Sequence, residues 1–258
     1  MKRIWLVGVL IAFAALAKFG YDYFYFDTKS VPSVTKNEPT KILVLPPAKP
    51  DPLKFELTPE AVQEALNNLG LPFNKVDGKW GPRTRQNFCI WRELTGRQAD
   101  RNYPIETEQR EIIMLSKLGK KFVLDESFEK GLNVNKTCQS VIWVKDDQRK
   151  DFEISIVSTG AAATPTDVGS FKVGWRVNRW YESISIPDGW MYRPMFFNKG
   201  QALHGSEKDA FVWWYPASHG CVRMLQGFVD ELWNSDFGIG STVRVYGDFN
   251  PHTTDPGT

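Results

Sequence analysis

Near Thr137 the hydrophobic period of this chain changes, and that change narrows the folds open to it more than any other feature. Before it, apolar residues recur at helical spacing. Val62, Leu66 and Leu69 form one stripe, Phe88, Trp91 and Leu94 a second, and Ile112, Leu115 and Leu118 a third. After it the runs shorten to strand length. Val141 to Val144 is apolar throughout, Phe152, Ile154 and Ile156 alternate with polar residues, and short runs follow at Phe171–Val173, Met195–Phe197, Gln201–Leu203 and Thr242–Val245. One helix is expected late, with Phe228, Val229, Leu232 and Trp233 on its apolar side. Helices first and strands later argue against alternating βαβ units. The pattern predicts a small α-helical N-terminal module and a mostly β domain, sandwich-like or barrel-like, carrying one or two helices.

The first 54 residues belong to neither part. Lys2 and Arg3 precede a 14-residue apolar run from Ile4 to Ala17, which ends in Ala15-Leu16-Ala17. This reads as a signal peptide with a small-residue cleavage site. The aromatic stretch from Phe19 to Phe26 extends the run and suits a membrane interface, so an uncleaved anchor over 1–27 is the competing reading. Both send the rest of the chain across a membrane. Residues 28–54 hold six prolines and no apolar period, as expected of an extended spacer. The remaining segments divide into a helical unit over 55–98, a connector over 99–136, the β domain over 137–248 and a tail over 249–258. At 42% hydrophobic and 14% aromatic the chain is not globally disordered. Its net charge of +2 comes without any Lys/Arg block, so no nucleic-acid partner is expected. Three cysteines in an exported chain leave one thiol free if Cys89 and Cys138 pair, and such a bond would tie the two folded parts together.

The chemistry concentrates between positions 204 and 221, which hold two of the three histidines and one of the three cysteines within 18 residues. A thiol becomes a nucleophile when a base takes its proton and local dipoles stabilise the oxyanion it creates. His204-Gly205 and Ser218-His219-Gly220-Cys221 offer these parts. A zinc site would show closely paired ligands, and only His219 and Cys221 are close. A serine nucleophile at Ser218 lacks the G-x-S-x-G elbow. Burial of all three residues in a core is the plainest alternative, and the glycines beside His204 and Cys221 weigh against it. No metal or cofactor is expected.

Two stretches resemble known families. "VQEALNNLGL…VDGKWGPRTRQNFCIWRELTG" is similar to the small peptidoglycan-binding domain found beside many cell-wall enzymes. The likeness lies in Val62-Gln63, Leu66, Leu69-Gly70, Asp77-Gly78 and Trp80-Gly81-Pro82-Arg83-Thr84, and it departs at the bulky Phe88–Arg92. "HGSEKDAFVWWYPASHGCVRM" resembles the His-Gly…Ser-His-Gly-Cys-x-Arg signature of the L,D-transpeptidase (YkuD-type) family, supported by Ser158-Thr159-Gly160, Thr164-Pro165-Thr166 and Gly240-Ser241-Thr242-Val243. The Thr166–Gly169 loop departs from that pattern.

The second resemblance implies a cell-wall enzyme. Cys221 would attack the carbonyl of the third residue of a peptidoglycan stem tetrapeptide and expel D-Ala, and the thioester would pass to an amine acceptor. His204 is preferred as base, with the Gly205 carbonyl orienting its ring, and His219 is the competitor. The N–H groups of Gly220 and Cys221 would form the oxyanion hole. Arg223 would bind a substrate carboxylate, and Ser218, Tyr192 and Trp214 would touch substrate or wall the cleft. A cysteine hydrolase acting on the same stem peptides and a non-catalytic wall-binding protein are the alternatives. Peptidoglycan is the expected partner, with membrane contact only through the N-terminal segment.

Overall fold

The computed structural model describes residues 56–72, 75–184, 186–187 and 189–249. The expected signal or anchor and the proline-rich spacer lie outside the described residues, as does nearly all of the tail. Among the described residues no helix is long and apolar enough to cross a membrane.

Three helices come first: α1 (Pro59–Asn68), α2 (Pro82–Leu94) and α3 (Glu106–Lys117). Thr58 starts α1 by accepting the Ala61 N–H on its hydroxyl at 3.2 Å, with Pro59 already at the helical φ. Between α1 and α2 the buried side chain of Gln63 ties a turn together. Its amide nitrogen donates to Asp77 Oδ1, the Lys79 carbonyl and Thr84 Oγ1, and its oxygen accepts the N–H groups of Asp77 and Gly78. Gly78 sits at φ +68°, and a Cβ there would overlap Glu60. The residues that carry the first family likeness are therefore one hydrogen-bonded knot.

The strands are β1 (Gly131–Asn135), β2 (Ser140–Val144), β3 (Phe152–Ser158), β4 (Gly169–Lys172), β5 (Trp175–Arg176), β6 (Trp180–Glu182), β7 (Trp190–Asn198), β8 (Gln201–Gly205), β9 (Val222–Met224) and β10 (Thr242–Tyr246). They form one sheet in the order β4-β10-β1-β2-β3-β9-β8-β7-β5, with β6 added to β7. The expected mostly β domain is present, and of the two expected forms it is nearer the barrel-like one. A single curled sheet closes its inner face around one core, and helix α4 (Gln226–Trp233) packs into that core through Phe228, Val229 and Leu232. The β region also starts earlier than the period change suggests. Asn133 and Asn135 give β1 a polar look, but both are buried, and Asn133 binds the Glu129 carbonyl at 2.7 Å.

The outer face of β2 and β3 is covered by the helices. Ile142, Val144 and Cys138 share a second core with Val62, Leu66, Phe88, Trp91 and Ile112. Every residue of β2 is buried because one face meets each core. Helix α2 lies against the sheet, which accounts for its bulky Phe88–Trp91 stretch, all inaccessible to solvent. Cys89 forms a disulfide with Cys138, and Glu93, one turn on, accepts the Tyr246 hydroxyl at 2.5 Å. Helices and sheet thus form one compact unit among the described residues.

The disulfide spans 49 residues of sequence. Closing a loop of that length restricts the unfolded chain by about 4 kcal/mol. Replacing Cys89 and Cys138 by alanine is expected to lower unfolding free energy in urea by about 2–4 kcal/mol. A change below about 0.5 kcal/mol would show that the two layers hold together without the bond.

Candidate active site

Strands β8 and β9 run parallel, pairing Leu203 with Val222 and His204 with Arg223. Side chains alternate along each strand. Leu203 and Val222 therefore point together into the core, while Ala202, His204, Cys221 and Arg223 share the opposite face. The Ala202 N–H donates to Cys221 Sγ at 3.4 Å, which fixes the level of the sulfur. His204, Cys221 and Arg223 line one cleft of about 630 Å³, with Met191, Trp190 and Ser206 among its other walls.

His204 is 5% exposed and lies with Nδ1 2.9 Å from the Gly205 carbonyl. A carbonyl can only accept, so the neutral ring carries its proton on Nδ1 and leaves Nε2 as an acceptor. Burial pulls the His204 pKa down to about 4, with the Arg223 charge acting in the same direction. Burial pushes the Cys221 thiol up, opposed by the Ala202 N–H and by Arg223. At neutral pH both groups are uncharged. The Arg223 side chain forms no ion pair or hydrogen bond among the described residues, and burial lowers its own pKa. It is an uncompensated cation beside the sulfur.

A clip of hydroxyls shapes the turn before Cys221. Ser218 Oγ accepts the Gly220 N–H at 3.2 Å and donates to the Cys221 carbonyl at 2.5 Å. Thr166 Oγ1 accepts the Gly160 N–H at 2.8 Å and donates to the Gly220 carbonyl at 2.9 Å. Gly220 sits at φ +111°, a conformation that side chains other than glycine's seldom adopt.

The predicted site residues are distributed as follows. His219 is exposed at the cleft, and its ring has no hydrogen bond among the described residues. Ser218 borders the cleft but is 2% exposed, with its hydroxyl engaged in the clip. The Gly220 N–H expected in the oxyanion hole is held by Ser218. Tyr192 does not line the cleft; its hydroxyl donates to Asp230 on α4 at 2.9 Å. Trp214 also lies outside the cleft lining, against Tyr215 and Arg101. A Cβ at Gly205 would come within 3.0 Å of the Tyr192 ring. Sequence reasoning missed Thr166 as a brace, the Ala202 N–H, and Ser206. The Ser206 hydroxyl is buried at the cleft without a hydrogen-bond partner among the described residues. No pattern of spacing announces such a group. Among the described residues no cluster of three or more His, Cys, Asp or Glu side chains could hold a metal.

Two pH effects follow from the buried pair. Alkylation of Cys221 by iodoacetamide should show a midpoint above the ordinary thiol value of about 8.5, and Arg223→Ala should raise it further. A midpoint at or below that value would contradict the dry, neutral resting state. For His204 the folded pKa lies below the unfolded value of 6.5. Its contribution is therefore present above about pH 6.5 and is lost as pH falls toward 4, worth about 3 kcal/mol. Urea denaturation of His204→Gln should show a correspondingly flatter loss of stability over that window than the unsubstituted protein.

Comparison with known proteins finds matches over the segment that holds this site. Residues 129–245 match the YkuD family profile, the L,D-transpeptidase catalytic domain. None of the curated proteins matches the chain. Among solved structures, an L,D-transpeptidase from Xylanimonas cellulosilytica is 27% identical, with 72% of this chain and 92% of that one covered at a TM-score of 0.48. One from Stackebrandtia nassauensis is 24% identical, covering 74% and 91% at 0.45. One from Mycobacterium smegmatis is 13% identical, covering 50% and 61% at 0.39. Likeness at these TM-scores is partial. The curled sheet over residues 129–245 that carries His204 and Cys221 is similar to the L,D-transpeptidase catalytic domain of the YkuD family.

Proposed function

We propose that this protein is an exported cell-wall transpeptidase whose nucleophile is Cys221. The observation that carries the reading is the placement of His204 and Cys221 on one face of a cleft within the matched domain, beside the unpaired Arg223. The thiol attacks the carbonyl of the third residue of a stem tetrapeptide while His204 Nε2 takes its proton. Collapse of the tetrahedral adduct breaks the bond to D-Ala, and His204 returns that proton to the departing amine. An amine from a second stem then attacks the thioester, gives a proton to His204, and forms the new peptide bond. The proton passes from His204 to the sulfur, and the resting thiol is restored.

Proton transfer in the empty site is uphill, since burial opposes both the thiolate and the imidazolium. Arg223 offsets part of this cost. Its charge favours negative sulfur and negative oxygen alike, and its free guanidinium is suited to a substrate carboxylate. Ser206 supplies a buried hydroxyl that bound substrate would satisfy. The Gln63 knot supports reading the helical segment as a peptidoglycan-binding fold, which would keep the enzyme at its substrate. The basic and apolar N-terminus supports export, with the membrane reached only through that segment.

Incubation with a stem tetrapeptide should yield a tripeptidyl adduct on Cys221, seen by mass spectrometry, and a cross-linked product when an amine acceptor is present. Cys221→Ala should abolish both while leaving the unfolding transition in place. Cross-linking that survives Cys221→Ala would overturn the reading, and release of free tripeptide without cross-links would make the enzyme a hydrolase.

A further inference from the structure

Helix α2 touches more than the back of the sheet. Gln86, wholly buried, donates from Nε2 to the carbonyl of Gln139 at 2.6 Å. Gln139 sits in the β1–β2 turn at φ +54°, a conformation that costs a non-glycine residue energy and persists only where the surroundings impose it. Its neighbour Cys138 is held by the disulfide to Cys89. The side chain of Gln139 then reaches the end of β3. Its oxygen accepts the Thr159 N–H at 2.8 Å, and its nitrogen donates to Thr159 Oγ1 at 2.8 Å. The Thr159 carbonyl in turn accepts the N–H groups of Ala217 and Ser218, both at 3.0 Å. Ser218 Oγ holds the Cys221 carbonyl and the Gly220 N–H. Gln86, Gln139, Thr159 and Ser218 are each 2% exposed or less, so water does not interrupt the chain.

A second set of contacts reaches the same loop. Arg83 on α2 donates to the Val212 carbonyl and, through its other nitrogen, to Gln86 Oε1 at 2.8 Å. Arg101, in the segment after α2, donates to the Trp214 carbonyl at 2.5 Å. The segment joining β8 to β9 is thus held along its length by side chains of the helical layer and by the turn that this layer fixes.

We infer that Gln86 and Gln139 are positioning residues for the nucleophile, so that the helical layer is a working part of the active site in addition to any affinity it has for the wall. Each acts through Thr159 and Ser218, and neither touches the reacting atoms. The acyl-transfer readout rests on the function proposed above, whereas thiol alkylation needs no substrate and tests positioning alone.

The experiment uses the full chain with Gln86→Met, which keeps the volume and removes the donor, and Thr159→Val, which deletes the hydroxyl that Gln139 binds. Ile112→Val, in the helical core and outside the chain, serves as the control for simple loss of stability. Gln86→Met and Thr159→Val should each alter the rate of Cys221 alkylation by iodoacetamide about fivefold or more at fixed pH and shift its pH midpoint. Both should lower kcat for acyl transfer about tenfold with KM within twofold. Ile112→Val should lower Tm without either effect. If Gln86→Met and Thr159→Val change only Tm, or if Ile112→Val changes alkylation equally, the inference fails. Should Gln86→Met not fold, Thr159→Val decides. Altered alkylation in a protein whose unsubstituted form transfers no acyl group would retain the positioning role and remove the transpeptidase reading.

Discussion

The active site depends first on the parallel pairing of β8 with β9. Most of the sheet is antiparallel, and neighbouring antiparallel strands need only short turns. A parallel neighbour requires the chain to travel back to the starting edge, and here residues 206–221 make that return. The pairing puts His204 level with Arg223 and Cys221 level with Ala202. Two residues distant in sequence thereby share a face. Because side chains alternate, a slip of one residue would turn His204 into the core and Leu203 into the cleft. The packing of Leu203, Val222 and Met224 in the inner core opposes that slip. Hydrophobic burial on one side of the sheet sets the catalytic geometry on the other.

The same burial sets the chemistry. A cysteine next to a protonated histidine would rest as a thiolate, but neither group here is solvated enough to charge readily. His204 loses most of its basicity to burial and the nearby Arg223, and the thiol is held above its ordinary range. Arg223 therefore has two opposed consequences. It discourages the imidazolium and encourages the thiolate. In the proposed acyl transfer its favourable effect would persist, because the oxyanion of the tetrahedral adduct is also negative.

Much of this was legible in the sequence, and the gaps have physical reasons. Short apolar runs located β2, β7, β8 and β10, and alternation located β3, because each packs its apolar residues into a core. β1 went unseen because its asparagines are buried through hydrogen bonds, which hydrophobic pattern cannot register. The distinction between a sandwich and a curled sheet depends on pairing order, and period reveals only which residues face inward. In the site, His204, Cys221 and Arg223 line one cleft. The glycines beside them have backbone roles as well: Gly205 makes room for the Tyr192 ring, and Gly220 supplies a positive φ. Tyr192 and Trp214 were assigned to the cleft for being aromatic, but aromatic character does not specify a face. Tyr192 falls at a β7 irregularity, where Arg193 adopts φ +46° and the strand shifts register before Met195. No alternation rule crosses such a bulge intact.

The helical segment poses a different question, because its motif is recognisable for reasons unrelated to a ligand. Gln63 binds Asp77, Gly78, Lys79 and Thr84 within one turn, and loss of any of these would strand a buried amide. These residues therefore have a structural role whatever the segment binds. Helix α2 then departs from a free-standing module on the side facing the sheet. Arg83, Gln86, Cys89 and Glu93 each reach a partner beyond the helices, at Val212, Gln139, Cys138 and Tyr246. Their spacing of three or four residues places them on one stripe of the helix. Such a stripe has no use in a domain that moves independently on a linker. The bulky Phe88, Ile90 and Trp91 beside it belong to the same adaptation, because a helix covered by its own layer and by a sheet has no face left for water.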